Sequence, residues 1–229
     1  MTRQIACLLT GLLLLLLPLV SCTRDEYEKG DGEYSYMRAD FAEAYSSDAG
    51  VLGSFVTDEG DSLVLSPRHD CSWASTPDSV YRTLMYYSRE DTTSIKVRCI
   101  TATQVLVLRV PSQRRDTVIT HPVGLESIWL SANGKYINMG VDVKTGKGDD
   151  DKARQTLGVV CDTVLILPDG KHEHRLRLFH DQGKVPEYYT SKVYASIPLG
   201  TFSKGDVVRL DVNTYKGMVT RSFRIATNP

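Results

Sequence analysis

Residues 127–139 read Ser-Ile-Trp-Leu-Ser-Ala-Asn-Gly-Lys-Tyr-Ile-Asn-Met. Two stretches rich in β-prone side chains, 127–131 and 135–139, flank Ala132-Asn133-Gly134. The Asn-Gly pair is favoured in tight hairpin turns because both residues tolerate a positive φ. This segment therefore predicts an antiparallel hairpin and places a β-sheet in the C-terminal half of the chain.

Short β-prone segments separated by turn residues continue to the C-terminus. Pro168-Asp169-Gly170 and Tyr215-Lys216-Gly217 have the composition of tight turns, since Pro presets φ and Gly accepts positive values. Strands at this spacing, joined by turns, are typical of an antiparallel β-sandwich, which we expect over residues 115–229. The predicted strands are 157–167, 174–180, 192–199, 206–215 and 218–226.

The N-terminal half has the pattern of a smaller β-domain. Segments 51–56 and 62–65 flank the turn residues 58–61, which predicts a second hairpin. Residues 81–88 form another strand, and 95–110 form either one bent strand or two. Four or five strands without a convincing amphipathic helix indicate a small barrel over 39–114, ending where 111–122 interrupts the pattern.

The first residues resemble a bacterial lipoprotein signal. Arg3 precedes an almost unbroken apolar run, 5–20, and residues 19–22 read Leu-Val-Ser-Cys, which fits a lipobox. Such a signal is cut before Cys22, whose thiol then carries a diacylglycerol. The alternative is a transmembrane helix, but the run is short for a span of about 20 residues and stops at the cysteine. We predict a signal peptide over 1–22 and a membrane partner through the lipid on Cys22.

Residues 23–38 are polar and predict a flexible tether. The tether opens with Thr23-Arg24-Asp25-Glu26, which resembles the acidic signal that sends some lipoproteins to the outer leaflet. A merely solvated tether is the alternative. The sequence thus favours an outer-membrane protein at the cell surface over one that faces the periplasm.

Composition excludes some partners and scaffolds. The formal net charge is −1 and no basic face stands out, which argues against nucleic acid. Beyond the lipobox, Cys71, Cys99 and Cys161 form at most one disulfide, so this is not a disulfide scaffold. Cys99 alternates with Ile95 and Val97, which predicts an inward-facing core position.

Four strand motifs can be compared with those of a known family: the tryptophan strand and hairpin arm at 127–130 and 136–139, the strand ending in His at 176–181, the strand 193–199 and the closing strand 208–215. Together they resemble the NigD-like lipoproteins. The resemblance implies an OB-like barrel followed by an Ig-like β-sandwich and brings no catalytic residue; we predict no cofactor. It also implies a role in bacteriocin immunity, because a protein of this kind is encoded beside a bacteriocin.

Three polar clusters could carry chemistry, and each has a simpler interpretation. His172 and His174 share a strand face and could ligate one ion, whereas His180 lies too far along the strand; solvated turn histidines are the alternative. Residues 149–151 are consecutive aspartates without the spacing of a calcium loop. Residues 69–72 read His-Asp-Cys-Ser, but adjacent side chains on an extended chain point apart. We therefore predict no metal site and no catalytic residue.

Aromatic residues supply the candidate binding positions. Tyr86-Tyr87 and Tyr188-Tyr189 each direct one ring to each face of an extended strand, so each pair predicts an exposed tyrosine suited to protein or sugar contacts. Trp129 is expected in the core. The sequence favours a non-enzymatic envelope binding protein; the alternatives are a surface adhesin or glycan-binding module and, third, a hydrolase.

Overall fold

The computed structural model describes residues 35–111, 118–150 and 152–226. The predicted signal peptide, Cys22 and most of the tether lie outside these residues. The described residues form strands and turns, and none of their segments is a helix able to cross a membrane. The strands are β1 Met37–Asp48, β2 Val51–Thr57, β3 Ser62–Asp70, β4 Ser79–Ser88, β5 Lys96–Gln104, β6 Leu106–Val107, β7 Gly124–Leu130, β8 Tyr136–Thr145, β9 Thr156–Ile166, β10 His172–Asp181, β11 Tyr189–Pro198, β12 Val207–Thr214 and β13 Gly217–Arg224.

Strands β1 to β5 close into the predicted barrel, in the order β1-β2-β3-β5-β4. The 12-residue strand β1 pairs antiparallel with both β2 and β4, and a parallel pairing of β3 with β5 completes the closure. Strand β1 begins at Met37, so Met37 and Arg38, the last residues of the expected tether, are strand. Inward side chains fill the barrel; they include Ala42, Ala44, Leu52, Phe55, Leu63, Leu65, Met85, Tyr87 and Val97.

The segment 95–110 forms two strands that belong to different sheets. Strand β5 ends in the barrel at Gln104, and β6 pairs in parallel with β11 of the following sheet. The chain thus crosses from barrel to sandwich at Val105, which is buried. The expected boundary between residues 114 and 115 falls within 112–117, outside the described residues.

The C-terminal half is the predicted β-sandwich, built from two four-stranded sheets. Their orders are β13-β12-β10-β9 and β6-β11-β8-β7. Strand β11, which lies between β10 and β12 in the chain, belongs to the second sheet. Strands β10 and β12 therefore become neighbours in the first sheet, and their pairing is parallel. The sandwich is therefore mostly, not entirely, antiparallel. Between the sheets lies a core that includes Ile137, Met139, Val141, Leu176, Leu178, Ala195, Ile197, Val208, Leu210 and Val212.

The hairpin predicted at 127–139 is confirmed as β7 and β8. Trp129 pairs with Asn138 across the hairpin, and Gly134 in the turn has a φ of 71°. The Ser131 hydroxyl donates to Asn133 Oδ1 and accepts a hydrogen bond from the Tyr136 amide at 2.9 Å. The turn is therefore fixed by local hydrogen bonds, which explains why the local sequence was sufficient to predict it.

A buried polar cluster, the interdomain network, joins the barrel to the sandwich. Arg82 of β4 donates to both Asp58 carboxylate oxygens, at 2.7 and 2.6 Å. The same guanidinium donates to Asn138 Oδ1 at 3.0 Å and to Ser196 Oγ at 3.1 Å, on the outer face of the sandwich sheet. Its carbon lies 4.0 Å from the centroid of the Tyr136 ring. The arginine thus has partners from both halves of the molecule.

Aromatic rings pack beside this network. Phe41 of β1 meets Trp129 edge-on, with ring centroids 5.2 Å apart, and meets Tyr194 at 5.8 Å. Trp129 is 37% exposed, so the expectation of a core position is only partly met: the ring covers the barrel–sandwich contact at its margin. Polar and aromatic contacts together hold the two halves in one orientation.

Candidate binding site

A cavity of about 500 Å³ lies at one side of the sandwich; we call it the edge cavity. Strand β7 and the β12–β13 turn border it, and these segments belong to opposite sheets. Its lining residues are Val123, Gly124, Leu125, Glu126, Ser127, Ile128, Asp142, Thr214, Tyr215, Lys216, Val219 and Arg221. The cavity is therefore assembled from two parts of the chain that are far apart in sequence.

The edge cavity lies between two open sheet edges. Strands β7 and β13 are each the outermost strand of their sheet, and neither has a second strand neighbour among the described residues. Backbone N–H and C=O groups on such an edge can bond to an added strand. The two sheets meet at the end of the cavity, where the Tyr215 amide donates to the Val123 carbonyl at 3.2 Å.

Apolar and charged groups occupy separate parts of the cavity. Val123 is fully buried, and Leu125 and Ile128 pack against the sandwich core. Lys216 and Arg221 lie on the β13 side, where both are exposed. The apolar floor beside two cations suits a ligand that carries both apolar and acidic groups.

Carboxylates lie on the opposite side of the cavity. Glu126 accepts a hydrogen bond from Lys192 at 2.7 Å, and this contact raises the pKa of Lys192. A Cβ at Gly124 would come within 2.9 Å of the Asp142 Cβ, and one at Gly140 within 3.0 Å of Glu126 Oε2. Because the two glycines have no side chain, the Asp142 and Glu126 side chains can occupy this space.

Sequence reasoning missed this site. Its two halves, residues 123–128 and 214–221, become neighbours only when the sheets stack, and strand alternation does not reveal which edges meet. The one available signal was the Tyr215-Lys216-Gly217 turn, which marks a loop at the end of the sandwich.

The four predicted tyrosines do not form one site. Tyr87 is 1% exposed, packs on Phe55 inside the barrel and donates to Asp40 at 2.7 Å, so it lies in the core and not at a binding surface. Tyr86 is half-buried and packs with Phe41 at the barrel–sandwich contact. One ring of the pair, that of Tyr87, points inward, in agreement with the predicted alternation. The other ring, that of Tyr86, points outward, but the sandwich partly covers it.

Tyr188 and Tyr189 are both exposed, at 75% and 58%. Tyr189 borders a second cavity of about 340 Å³, which Gly146, Pro186 and Arg154 also line. A Cβ at Gly146 would lie 2.7 Å from the Tyr188 ring, so this glycine allows the ring to lie against the loop. The sequence predicted one exposed ring from this pair, whereas both rings are exposed because Tyr188 precedes β11, which begins at Tyr189. The role of these tyrosines in binding stays a prediction.

The histidines have structural partners. His174 Nε2 donates to Asp206 Oδ2 at 3.2 Å, and the Asp206 carboxylate also accepts the amide hydrogens of His172 and Ser203, each at 3.0 Å. His180 is buried, with Nδ1 3.2 Å from the His121 carbonyl oxygen, and burial lowers the pKa of its ring. Among the described residues, no three His, Cys, Asp or Glu side chains are placed to hold a metal ion.

Asp206 makes the stability of the fold depend on acidity. Burial alone would raise its pKa, but the hydrogen bonds from His172, Ser203 and His174 lower it to about 2. The unfolded value is about 4, so the contribution is present above pH 4 and is lost as pH falls toward 2. We expect Asp206→Asn to lower the free energy of unfolding at pH 7 by about 2 kcal/mol. Denaturant titrations should show this difference shrinking between pH 4 and 2; a constant difference would contradict the assignment.

The two remaining clusters lie in separate parts of the fold: His69 and Asp70 end β3, whereas residues 149 and 150 lie in the loop after β8. Burial raises the pKa of the Cys71 thiol to about 11 and that of Cys99 to about 12, so both are protonated at neutral pH and are poor nucleophiles. Cys71, Cys99 and Cys161 are free cysteines. Asp150 accepts the Lys152 amide hydrogen within its own loop, and residue 151 lies outside the described residues. Cys99 packs against the barrel core, as predicted.

Comparison with known proteins finds likeness in structure and not in sequence. No family model matches the chain, and no curated protein matches it. A NigD-like immunity protein from Bacteroides caccae has a TM-score of 0.63 and 18% identity, with 82% of this chain and 96% of that chain covered. A protein from Parabacteroides distasonis, described as a candidate toxin-related protein, has a TM-score of 0.60 and 14% identity, covering 83% and 93%.

A third solved structure is that of a protein from Bacteroides fragilis described as a candidate lipoprotein. Its TM-score is 0.51 and its identity 13%, with 84% of this chain and 99% of that chain covered. At such identities the likeness concerns the fold. The chain therefore has the barrel-and-sandwich fold of a NigD-like immunity protein, and the resemblance predicted from its strand motifs is confirmed at the level of the fold.

Proposed function

We propose that this chain is a lipid-anchored protein of the cell envelope that binds a macromolecular partner without catalysing a reaction. The edge cavity carries the proposal, because it combines an apolar floor, opposed charges and two open strand edges in one place. Its lining includes no histidine or cysteine. Proteins of this fold include a NigD-like immunity protein and a candidate lipoprotein, which agrees with a binding role in the envelope.

The envelope location rests on Cys22. A diacylglycerol on Cys22 and a further acyl chain on its amino group would anchor the chain stably, since each buried methylene contributes about 0.8 kcal/mol. We expect intact-mass spectrometry of protein from membranes to show a chain that starts at Cys22 and carries these lipids. Cys22→Ala should move the protein out of the membrane fraction. An unprocessed chain that starts at Met1 would contradict the anchor. Protease treatment of intact cells then shows which side the protein faces: a protein at the cell surface is digested, whereas one that faces the periplasm is protected.

Bacteriocin immunity is the specific role that we propose within this function. An immunity protein protects the producing cell, so a deletion strain should be killed by culture supernatant of its own parent strain. The wild-type chain should restore survival, whereas Cys22→Ala and the cavity variant Val219→Arg should not. Ile95→Arg adds the same charge at a barrel position that is 61% exposed, and it should restore survival fully. A deletion strain that resists the supernatant would contradict immunity.

A glycan-binding role is the second candidate, favoured by the exposed Tyr188 and Tyr189 beside the 340 Å³ cavity. Aromatic rings bind sugar faces through apolar contact. A glycan array probed with the purified protein tests this role, with Tyr189→Ala as the variant and Tyr45→Ala as the control. Saturable binding that only Tyr189→Ala removes would support it, and absence of binding would reject it.

A further inference from the structure

The four outer edges of the sandwich differ in whether they can accept another strand. Strand β6 has only two residues. Strand β7 contains a register shift between Leu125 and Ser127. Strand β9 contains one opposite Arg175 and Leu176 of β10. Bulges of this kind disturb edge pairing. Strand β13 pairs with β12 in one unbroken register over all eight of its residues. Only β13 among these described edges is both long and regular.

Alternate amides of β13 point away from β12. In an antiparallel ladder, every second residue bonds to the partner strand and the others face the open side. Ile225 and Asp206 form the next pair of this ladder, one residue beyond the Arg224–Val207 pair. In that pair the Ile225 amide donates to the Asp206 carbonyl at 2.9 Å. The amides of Phe223, Arg221 and Val219 therefore bond to β12, and those of Thr220 and Ser222 face the open edge.

The same edge is positively charged. Residues 216–226 include Lys216, Arg221 and Arg224 and no acidic residue. Arg224 Nη1 lies 3.6 Å from Asp169 Oδ2, whereas neither Lys216 nor Arg221 has an acidic oxygen within 4.0 Å among the described residues. Arg221 and Val219 share the strand face that lines the edge cavity.

We propose that β13 binds an extended peptide segment as an additional strand, with an acidic residue opposite Arg221 and apolar residues on either side of it. This inference rests on the proposed binding function and names the chemistry of the partner. The added strand places alternate side chains in the edge cavity, where apolar groups meet Leu125 and Ile128. Glu126 and Asp142 lie across the cavity, which favours one acidic residue over a polyacidic segment.

Synthetic peptides test the proposal directly on the lipidated protein purified in detergent. The peptide Thr-Val-Thr-Glu-Thr-Val-Thr presents Val, Glu and Val on one face of a strand. We expect it to bind about tenfold more tightly than the same peptide with Lys in place of Glu, because attraction to Arg221 is replaced by repulsion. Fluorescence anisotropy measures the affinity. Amide hydrogen exchange should show added protection at Thr220 and Ser222.

Two pairs of variants separate strand addition from other modes of binding. Ser222→Pro removes an amide that faces the open edge and leaves the bonds to β12 intact, so binding should be lost while thermal unfolding is unchanged. Ser222→Ala keeps the amide and should bind normally. Arg221→Glu should reverse the preference between the Glu and Lys peptides, whereas Arg109→Glu, exposed and outside the cavity, should not.

The peptide and variant experiments test strand addition at β13 separately from the general binding function. Equal binding of both peptides, unchanged binding by Ser222→Pro, or absence of binding by either peptide overturns strand addition. The binding function itself is tested separately, by cross-linking from the edge cavity in intact cells, and can stand when the peptide proposal fails.

Discussion

Replacing Arg82 with methionine is expected to lower the free energy of unfolding by about 3–5 kcal/mol, because it leaves a buried charge without its partner. The Arg82 side chain is 2% exposed and its partner Asp58 is 11% exposed. Without the guanidinium, the Asp58 carboxylate would stay buried with its charge uncompensated. Asn138 and Ser196 would lose the same donor, so both halves of the molecule would be destabilised.

Urea denaturation followed by circular dichroism measures this loss. Arg68→Met is the matched control, since Arg68 pairs with Asp48 at 3.1 Å but both side chains are more than half exposed. Exposed pairs contribute about 0–1 kcal/mol, so the control should change stability little. Equal losses in the two variants would contradict the view that the interdomain network holds barrel and sandwich together.

Phe55→Ala is expected to lower the free energy of unfolding by about 3–5 kcal/mol. The Phe55 ring is 1% exposed and lies 5.1 Å from the Tyr87 ring inside the barrel. Its removal leaves a cavity that the closed barrel can fill only in part. Val56→Ala is the control, because Val56 is 40% exposed on the opposite face of β2 and should cost about 0.5 kcal/mol or less. Similar effects of the two changes would contradict the inward orientation of Phe55.

Local signals in the sequence predicted most of the strands, and the exceptions have physical reasons. The Asn133-Gly134 turn and the β12–β13 hairpin depend on residues that are adjacent in the chain. Strand β1 was not predicted because its sequence, Met37–Asp48, is polar and rich in alanine, which are weak β-formers. Its conformation is imposed by pairing with β2 on one side and β4 on the other.

The candidate site was beyond local signals for the same reason. Val219 and Arg221 face Leu125 and Ile128 only because two sheets stack with particular edges together. The parallel neighbours β10 and β12 likewise result from a strand that leaves for the other sheet. The tyrosine pairs show the limit of alternation: it predicts that one ring of Tyr86 and Tyr87 points inward, but not that the sandwich partly covers the outward ring.

The most direct test of the binding function is site-specific photo-cross-linking in intact cells. The photoreactive amino acid p-benzoyl-phenylalanine, in place of Tyr215, lies at the edge cavity; in place of Tyr45, it lies on the barrel, 39% exposed. Both sites are exposed tyrosines, so the two proteins differ in which surface carries the reagent. The account predicts a discrete covalent adduct from position 215 that position 45 does not give. Absence of an adduct from position 215, or the same adducts from both positions, would contradict it.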